Sequence, residues 1–514
     1  MHPLQRNAMI AEHTKPRRRR PAATAATAAA PDRGLHLGAT PAYEPLAAGT
    51  VDLLIDSACA LLRDSGCMFE PDTEAVAILR AAGCDVSAEG IARFEPALVR
   101  EALASVPTSA RLWHRDGDEF IELDAAHTWF MPGMTCIKSY DAADGPPRDS
   151  TADDLAAATR LADALPNIDA VCIACKDVPH STADGEINEF AIMARHTAKP
   201  LEYLCESAES LATVIDMAAA LRGSRAALAQ RPYFLQIVTP LPLGYWRTHS
   251  DQILLAARAG VPVSVGTLPI GGASTPITVS GSIVNSLATD FAGMTLGQLA
   301  RRGAFVIGSS DVSFMEPATG GIGHFTHASL ADMAMHQIRR RLGLPSFTGF
   351  AGQSSAPRFN QDAVWEISAG MMQVFFSRPA TLDYLGSLDE GLTFSLHALC
   401  LCDELAGLLR SMWRGIPVDA ESVALDLMRS VGPRGNYLAL DHTAAHCRDQ
   451  VWPARYLGAV MPTTSNSRPQ RDLIERIDAD LKRIQETHEP RPMPPAILAQ
   501  FGEIQARAAS ARAP

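Results

Sequence analysis

The chain has 514 residues, 47% of them apolar and 20% charged, with a mean hydropathy of +0.01, the profile of a globular protein with a large core. Fifty-seven acidic against 45 basic residues leave a net charge of -12, which opposes phosphate-backbone binding and excludes nucleic acid as an expected partner. No run of about 18 apolar residues occurs, so no membrane span is expected.

In chain order, residues 1–43 carry KPRRRR and then PAATAATAAAP. This is a basic stretch followed by an Ala/Thr/Pro tract without the apolar core of a secretory signal, so a disordered tail on a cytoplasmic protein is expected. Residues 44–127 have helical periodicity in LLIDSACALLRDSG, DTEAVAILRAAG and PALVREALASVP, each closed by Gly or Pro, which predicts an N-terminal helical layer. The ten cysteines are scattered through apolar segments, as buried free thiols are. Cys172 and Cys175 form a C-x-x-C, but no second pair follows at zinc-site spacing, so core packing is expected and no metal site.

From 128 to 460 eight short β-rich runs alternate with helix-period stretches: HTWFMPGMTCIKSY, IDAVCIAC, PLEYLCE, PYFLQIVTPL, PVSVGTLPI, AFVIGSSD, PSFTGFAG and TLDYLGSLDEG. Strand and helix units in alternation imply parallel strands with crossover helices, and eight of them predict an α/β fold, a (β/α)₈ TIM barrel. A doubly wound open sheet is the alternative, but its G-x-G-x-x-G turn is missing. The remaining stretch, 461–514, contains RDLIERIDADLKRIQETHEP, an amphipathic helix that suits docking on the barrel or a contact in a homo-oligomer.

A barrel of this kind builds its site from the C-terminal ends of its strands. The residues delivered there are Tyr140 and Asp141, Lys176 and Asp177, Glu206, Tyr245 and Trp246, then Ser310, Asp311 and Glu316, then Gln353, and finally Asp389 and Glu390. In GGASTPITVSGS, Gly271 and Gly272 permit close backbone approach, Pro276 suits a first helical turn, and Ser274 or Thr275 can cap it; such a helix start offers amides to an anion, as does a plain structural loop to its own backbone. His442 and His446 have helical i, i+4 spacing but no intervening glutamate of the H-E-x-x-H kind.

Together, GGASTPITVSGS, GQLARRGAFVIGSSD, LGLPSFTGFAGQSSAPRFNQDA, GSLDEGLTFSLHALCLCDEL and LALDHTAAHCRDQVWP resemble the trimethylamine:corrinoid methyltransferase family. The resemblance implies a (β/α)₈ barrel that moves a methyl group from a methylated amine to the cobalamin of a partner corrinoid protein. No corrinoid is then expected to be held tightly by this chain. Trimethylamine-specific members carry pyrrolysine, whose imine is an electrophile, in the loop matching FAGQSS, at or beside Gln353. A glutamine amide offers only hydrogen bonds, so the resemblance implies a quaternary amine such as glycine betaine. Trimethylamine or another methylamine, and a noncatalytic betaine-binding barrel, are the alternatives.

A quaternary ammonium calls for aromatic faces, and Tyr140, Tyr245, Trp246, Phe314 and Phe350 are the expected cage. Ser354, Ser355, His324 and Asp389 join them as substrate contacts. Gln353, His327, Glu316 and Asp311 are the expected catalytic group, and Gly271, Gly272, Ser274 and Thr275 the expected contacts to the corrinoid. Two departures from the family pattern are His327, where glutamate is frequent, and Thr289, where a carboxylate is frequent.

Overall fold

Seven parallel strands form the barrel wall: β1 (Trp129–Pro132), β2 (Val171–Cys172), β3 (Leu201–Tyr203), β4 (Phe234–Val238), β5 (Val263–Val265), β6 (Val306–Gly308) and β7 (Thr381–Leu385). They are seen in a computed structural model that describes residues 42–47, 49–133, 135–142, 145–323, 327–347, 350–447, 450–456 and 472–512, without the side chains of His327 and Phe350. Strands β2 to β6 pair in sequence order and β7 pairs with β1. β1 reaches the β2 side through Asp169 N donating to Phe130 O (2.9 Å) and Thr135 N donating to Ile173 O (2.6 Å). The stretch 344–347 supplies the remaining position: Ala380 N, at the start of β7, donates to Ser346 O (2.7 Å). Seven of the eight runs expected from the sequence thus form parallel strands of the barrel wall, and the described part of the eighth, PSFTGFAG, lies against β7.

The strands read as near-continuous apolar runs because both faces are covered, one by the barrel interior and one by helices. Those helices are α1 (Ala152–Ala164), α2 (Ala183–His196), α3 (Ala208–Arg222), α4 (Arg247–Ala259), α5 (Val279–Ala300), α6 (His327–Arg341), α7 (Gln361–Phe375) and α8 (Leu396–Trp413). α1 opens with a capping box in which Thr151 Oγ1 accepts from Asp154 N (3.4 Å) and Asp154 Oδ2 accepts from Thr151 N (2.9 Å). Gly260 ends α4 at φ 74°, a left-handed position that only glycine takes without steric cost.

α5 is apolar or small on every side, IVNSLATDFAGMTLGQLA, and a helix with no polar face is a buried helix. It is sandwiched between the barrel and two N-terminal helices, Thr50–Asp64 and Pro96–Ser105. A Cβ at Gly293 would stand 2.3 Å from Tyr245 Oη, and one at Gly297 would stand 2.7 Å from Val306 Cγ2. The small residues therefore set how closely α5 lies on the wall.

The N-terminal layer is not helical throughout. Cys67–Phe69, Asp85–Val86 and Ile91–Arg93 form antiparallel pairs extended by Gly244–Tyr245, and Ala110–Trp113 pairs with Phe120–Leu123 as a hairpin. Strands of two to four residues are too short to register as a period. At the other end, the helix Leu473–Thr487 buries Ile477, Leu481 and Ile484 against α8 and α1, and Pro495–Arg512 lies on α2 and α3. No helix among the described residues is long and apolar enough to cross a membrane. Nine of the ten cysteines are buried and unbridged, Cys172 and Cys175 among them, while Cys447 is exposed.

Candidate active site: an acidic cavity at the barrel mouth

A cavity of about 180 Å³ opens among the strand ends. Three carboxyl groups line it: Glu202 from within β3, Asp383 from within β7, and Asp311 from just after β6. Tyr384 and Phe347 supply aromatic surface, and Leu204, Ile237 and Leu268 apolar surface. Ser264 Oγ donates to Ser309 Oγ (2.6 Å), tying two lining hydroxyls together. No Lys, Arg or His stands among the described residues of the lining.

The acids perturb one another. Burial pushes Glu202 up to about 8, with the Cys172 thiol pulling down and Asp311 pushing up further. Burial also holds Asp383 far above the carboxylate range, and Glu202 and Asp311 add to it. Behind Asp311, the fully buried Asp332 is raised by burial and by Asp311, while its Oδ1 accepts from Val312 N (3.3 Å). A cluster of this kind keeps protons near neutral pH until a cation arrives to hold the charges. Tyr384 sits at φ 60° beside an irregularity in the β7 register, and backbone of this kind concentrates at functional sites.

The shift of Glu202 carries a sign for stability. Its folded pKa of about 8 exceeds the unfolded value of about 4.3, so its contribution to stability is full below the unfolded value and is lost as pH rises through the folded one. Thermal melts of the ligand-free protein are expected to fall between about pH 5 and about pH 9, and Glu202→Gln is expected to flatten that fall. An unchanged pH slope in the variant would contradict the assignment.

Of the residues expected from the sequence, Asp311 lines the cavity. Gln353 is buried, and neither its Oε1 nor its Nε2 has a hydrogen-bond partner among the described residues. It stands one layer from the cavity: a Cβ at Gly391 would be 3.5 Å from Gln353 Oε1 and 3.9 Å from Tyr384 Cε1. His324 lies outside the described residues, as do the side chains of His327, which begins α6, and Phe350.

The expected cage is placed elsewhere. Tyr245 is fully buried, stacked on Phe69 at 4.9 Å between ring centroids, and donates to Thr289 O (2.8 Å); the N-terminal layer covers it. Trp246 precedes α4 on the surface, 46% exposed. Tyr140 is buried and its Oη accepts from Phe359 N (3.2 Å). Phe314 packs over Gly271, where a Cβ would be 2.4 Å from its Cδ1. The aromatic residues of the cavity, Tyr384 and Phe347, were not expected.

Other expected contacts already have partners. Glu316 is exposed in a turn, accepting from Ala318 N at 3.2 Å. Ser354 Oγ (2.6 Å) and Ser355 Oγ (2.9 Å) both donate to Glu366 of α7. Asp389 is half-buried in a left-handed turn at φ 54°, its N donating to Ala356 O (3.0 Å). Lys176 pairs with Glu189 at 2.8 Å and reaches Glu206 at 3.9 Å, and Asp141 pairs with Arg148 at 2.7 Å. None of these residues lines the cavity.

The glycine-rich stretch is a closed turn. Gly272 N donates to Thr275 O, and the amides of Ala273, Ser274 and Thr275 all donate to Ile270 O. No amide of Gly272 to Thr275 is left for an anion. The helix starts only at Val279, with Thr278 rather than Ser274 or Thr275 at its N-cap; Thr275 Oγ1 is engaged by Ser282 Oγ at 2.8 Å.

Thr289 Oγ1 accepts from Leu243 N at 2.9 Å. The next residue, Asp290, is a carboxylate buried in the same helix, held by Arg339 at 3.0 Å and by the Ser310 hydroxyl. Thr289 therefore does not leave α5 without an acid. His442 and His446 do lie side by side on a short helix, 4.5 Å between ring centroids and tilted by 49°, and the described residues contain no group of three or more His, Cys, Asp or Glu able to hold a metal ion.

The residues that sequence reasoning missed are Glu202 and Asp383. Their signal was present: an acid within the apolar runs PLEYL and TLDYL. Asp and Glu are almost never fully buried without a partner.

Fold and cavity together describe a barrel whose candidate site, at the strand C-termini, is acidic and aromatic. The profile described as Trimethylamine methyltransferase (MTTB) matches residues 13–511, and the chain belongs to this family of methyltransferases. A trimethylamine methyltransferase of Desulfitobacterium hafniense (strain DSM 10664 / DCB-2) is 27% identical over 414 residues, 79% of this chain and 82% of the relative. A glycine betaine methyltransferase of Desulfitobacterium hafniense (strain Y51) is 24% identical over 412 residues, 78% of this chain and 84% of the relative. The crystal structure of a Methanosarcina barkeri monomethylamine methyltransferase aligns with a TM-score of 0.49 at 12% identity, covering 86% of this chain and 88% of the other.

Proposed function

We propose that this protein moves a methyl group from a quaternary ammonium to cob(I)alamin carried by a partner corrinoid protein. The observation that carries the reading is the cavity lined by Glu202, Asp311, Asp383, Tyr384 and Phe347 without a basic side chain among its described residues. Carboxylates and aromatic faces hold a permanent cation, and they do so most strongly when water is excluded.

When docked, the corrinoid supplies a nucleophilic cobalt. The chain's own residues bind the ammonium and orient one of its methyl groups toward the open end of the barrel, a contribution of alignment. A tertiary amine leaves as a neutral molecule, so the acids of the cavity need not deliver a proton to it. Gln353 is in keeping with this chemistry: its amide, without a hydrogen-bond partner among the described residues, donates and accepts hydrogen bonds but does not form an adduct with an amine. The loops after the strands expose Ile137, Leu241, Leu268, Ile322 and Leu392, apolar surface that fits a protein docking over the mouth. Stoichiometric appearance of the tertiary amine and methylcobalamin, followed by chromatography, tests the reading; amine loss without methylcobalamin would overturn it.

A further inference from the structure

The described lining of the cavity that would take the ammonium offers an anion no basic side chain. Among the described residues of its lining, the charged side chains are all acids. Three of its backbone donors are spent on the barrel itself: Thr135 N donates to Ile173 O, Gly266 N to Val238 O, and Ser309 N to Val265 O. Of the lining hydroxyls, Ser264 and Ser309 are closed on each other, which leaves those of Thr135 and Thr239 as neutral donors. The nearby guanidinium of Arg339 is committed to Asp290, Ser310 O and Phe347 O.

In glycine betaine the carboxylate is one methylene from the quaternary nitrogen. An ammonium seated against the acids therefore brings its own carboxylate within a few ångströms of them, where like charges repel strongly in a desolvated site.

We propose that the methyl donor is a quaternary ammonium without a carboxylate, of the tetramethylammonium or choline kind, and that Glu202, Asp311 and Asp383 are the residues that turn carboxylated betaines away. This rests on the cavity being the methyl-donor site, and it narrows the expectation of glycine betaine as donor.

The acids in protonated form would instead donate hydrogen bonds to a carboxylate, and pH separates the two cases. The groups that set the response are Cys172, Asp311 and Asp383 facing Glu202, with Asp332, Tyr384 and Arg339 around Asp311 and Asp332. A cation binds more tightly as pH rises and the acids ionise; a carboxylate binds more tightly as pH falls.

The experiment is titration calorimetry on the full chain with tetramethylammonium chloride, choline and glycine betaine, from pH 6 to pH 9. Expected are binding of tetramethylammonium or choline that tightens with pH, and binding of glycine betaine weaker by about tenfold or more. Glu202→Gln and Asp383→Asn are expected to weaken tetramethylammonium by about tenfold while leaving glycine betaine no weaker. Should either variant fail to fold, the wild-type pH series decides alone. Glycine betaine binding as tightly as tetramethylammonium, or tightening as pH falls, overturns the proposal while leaving the methyl-donor reading intact. Binding by none of the three overturns both.

Discussion

Arg339→Met is expected to cost about 3–5 kcal/mol of stability, the range for removing one partner of a buried ion pair. Arg339 and Asp290 are nearly inaccessible, with side-chain exposures of 4% and 2%. The guanidinium donates to Asp290 Oδ2 (3.0 Å), Ser310 O (2.9 Å) and Phe347 O (3.2 Å). Without it Asp290, already raised by burial, keeps only the Ser310 hydroxyl and must take up a proton. The cost reaches the cavity, because Ser310 precedes Asp311 and Phe347 lines the wall. Replacing both partners, Asp290→Leu with Arg339→Met, removes the unpaired charge and is expected to restore much of the loss. Chemical denaturation of the single and double variants checks this. A single-variant loss below about 1 kcal/mol would contradict the pairing.

Gly352→Ala is the second large effect, and it acts on the site directly. A Cβ there would lie 2.2 Å from Leu385 Cδ2, 2.9 Å from Leu385 Cα and 3.1 Å from Leu385 N. The side chain can rotate away but the β7 backbone cannot, so the strand carrying Asp383 and Tyr384 must shift against the segment carrying Gln353. The expected cost is about 1–3 kcal/mol, accompanied by at least a severalfold loss of tetramethylammonium affinity. Gly502→Ala is the control. It lies within the helix Pro495–Arg512, with nothing within 4 Å of an added methyl group, and is expected to be neutral or stabilising by about 0.5–1 kcal/mol. Equal melting behaviour of the two variants would count against close packing at Gly352.

The barrel was legible because its strands are buried on both faces. Runs such as PVSVG and AFVIG have no alternation to lose, and each is followed by a helix of regular period. Asp311 was legible for a related reason, standing at a strand end where the fold delivers chemistry. Glu202 and Asp383 were not, because attention to strand ends passes over strand interiors, and the barrel's inner layer became visible only once the register was known. Tyr245 was misplaced because a distant segment decides its surroundings: Cys67–Phe69 pairs beside Gly244–Tyr245 and stacks Phe69 on the ring. The GGAST turn failed for a local reason. Its amides close on Ile270 O and Thr275 O, a turn geometry that glycine and serine content alone does not distinguish from an anion cradle. Gln353 stands between these cases. It is buried, and its two amide atoms have no hydrogen-bond partner among the described residues, but it stands one layer from the cavity and does not line it.

The most direct measurement is methylation of free cob(I)alamin by the purified protein, followed by absorbance, with tetramethylammonium, choline, glycine betaine and trimethylamine in parallel. Methylcobalamin is expected with tetramethylammonium or choline and none with trimethylamine. Methylcobalamin from trimethylamine alone would contradict the proposed chemistry, which needs a donor nitrogen that already carries its positive charge.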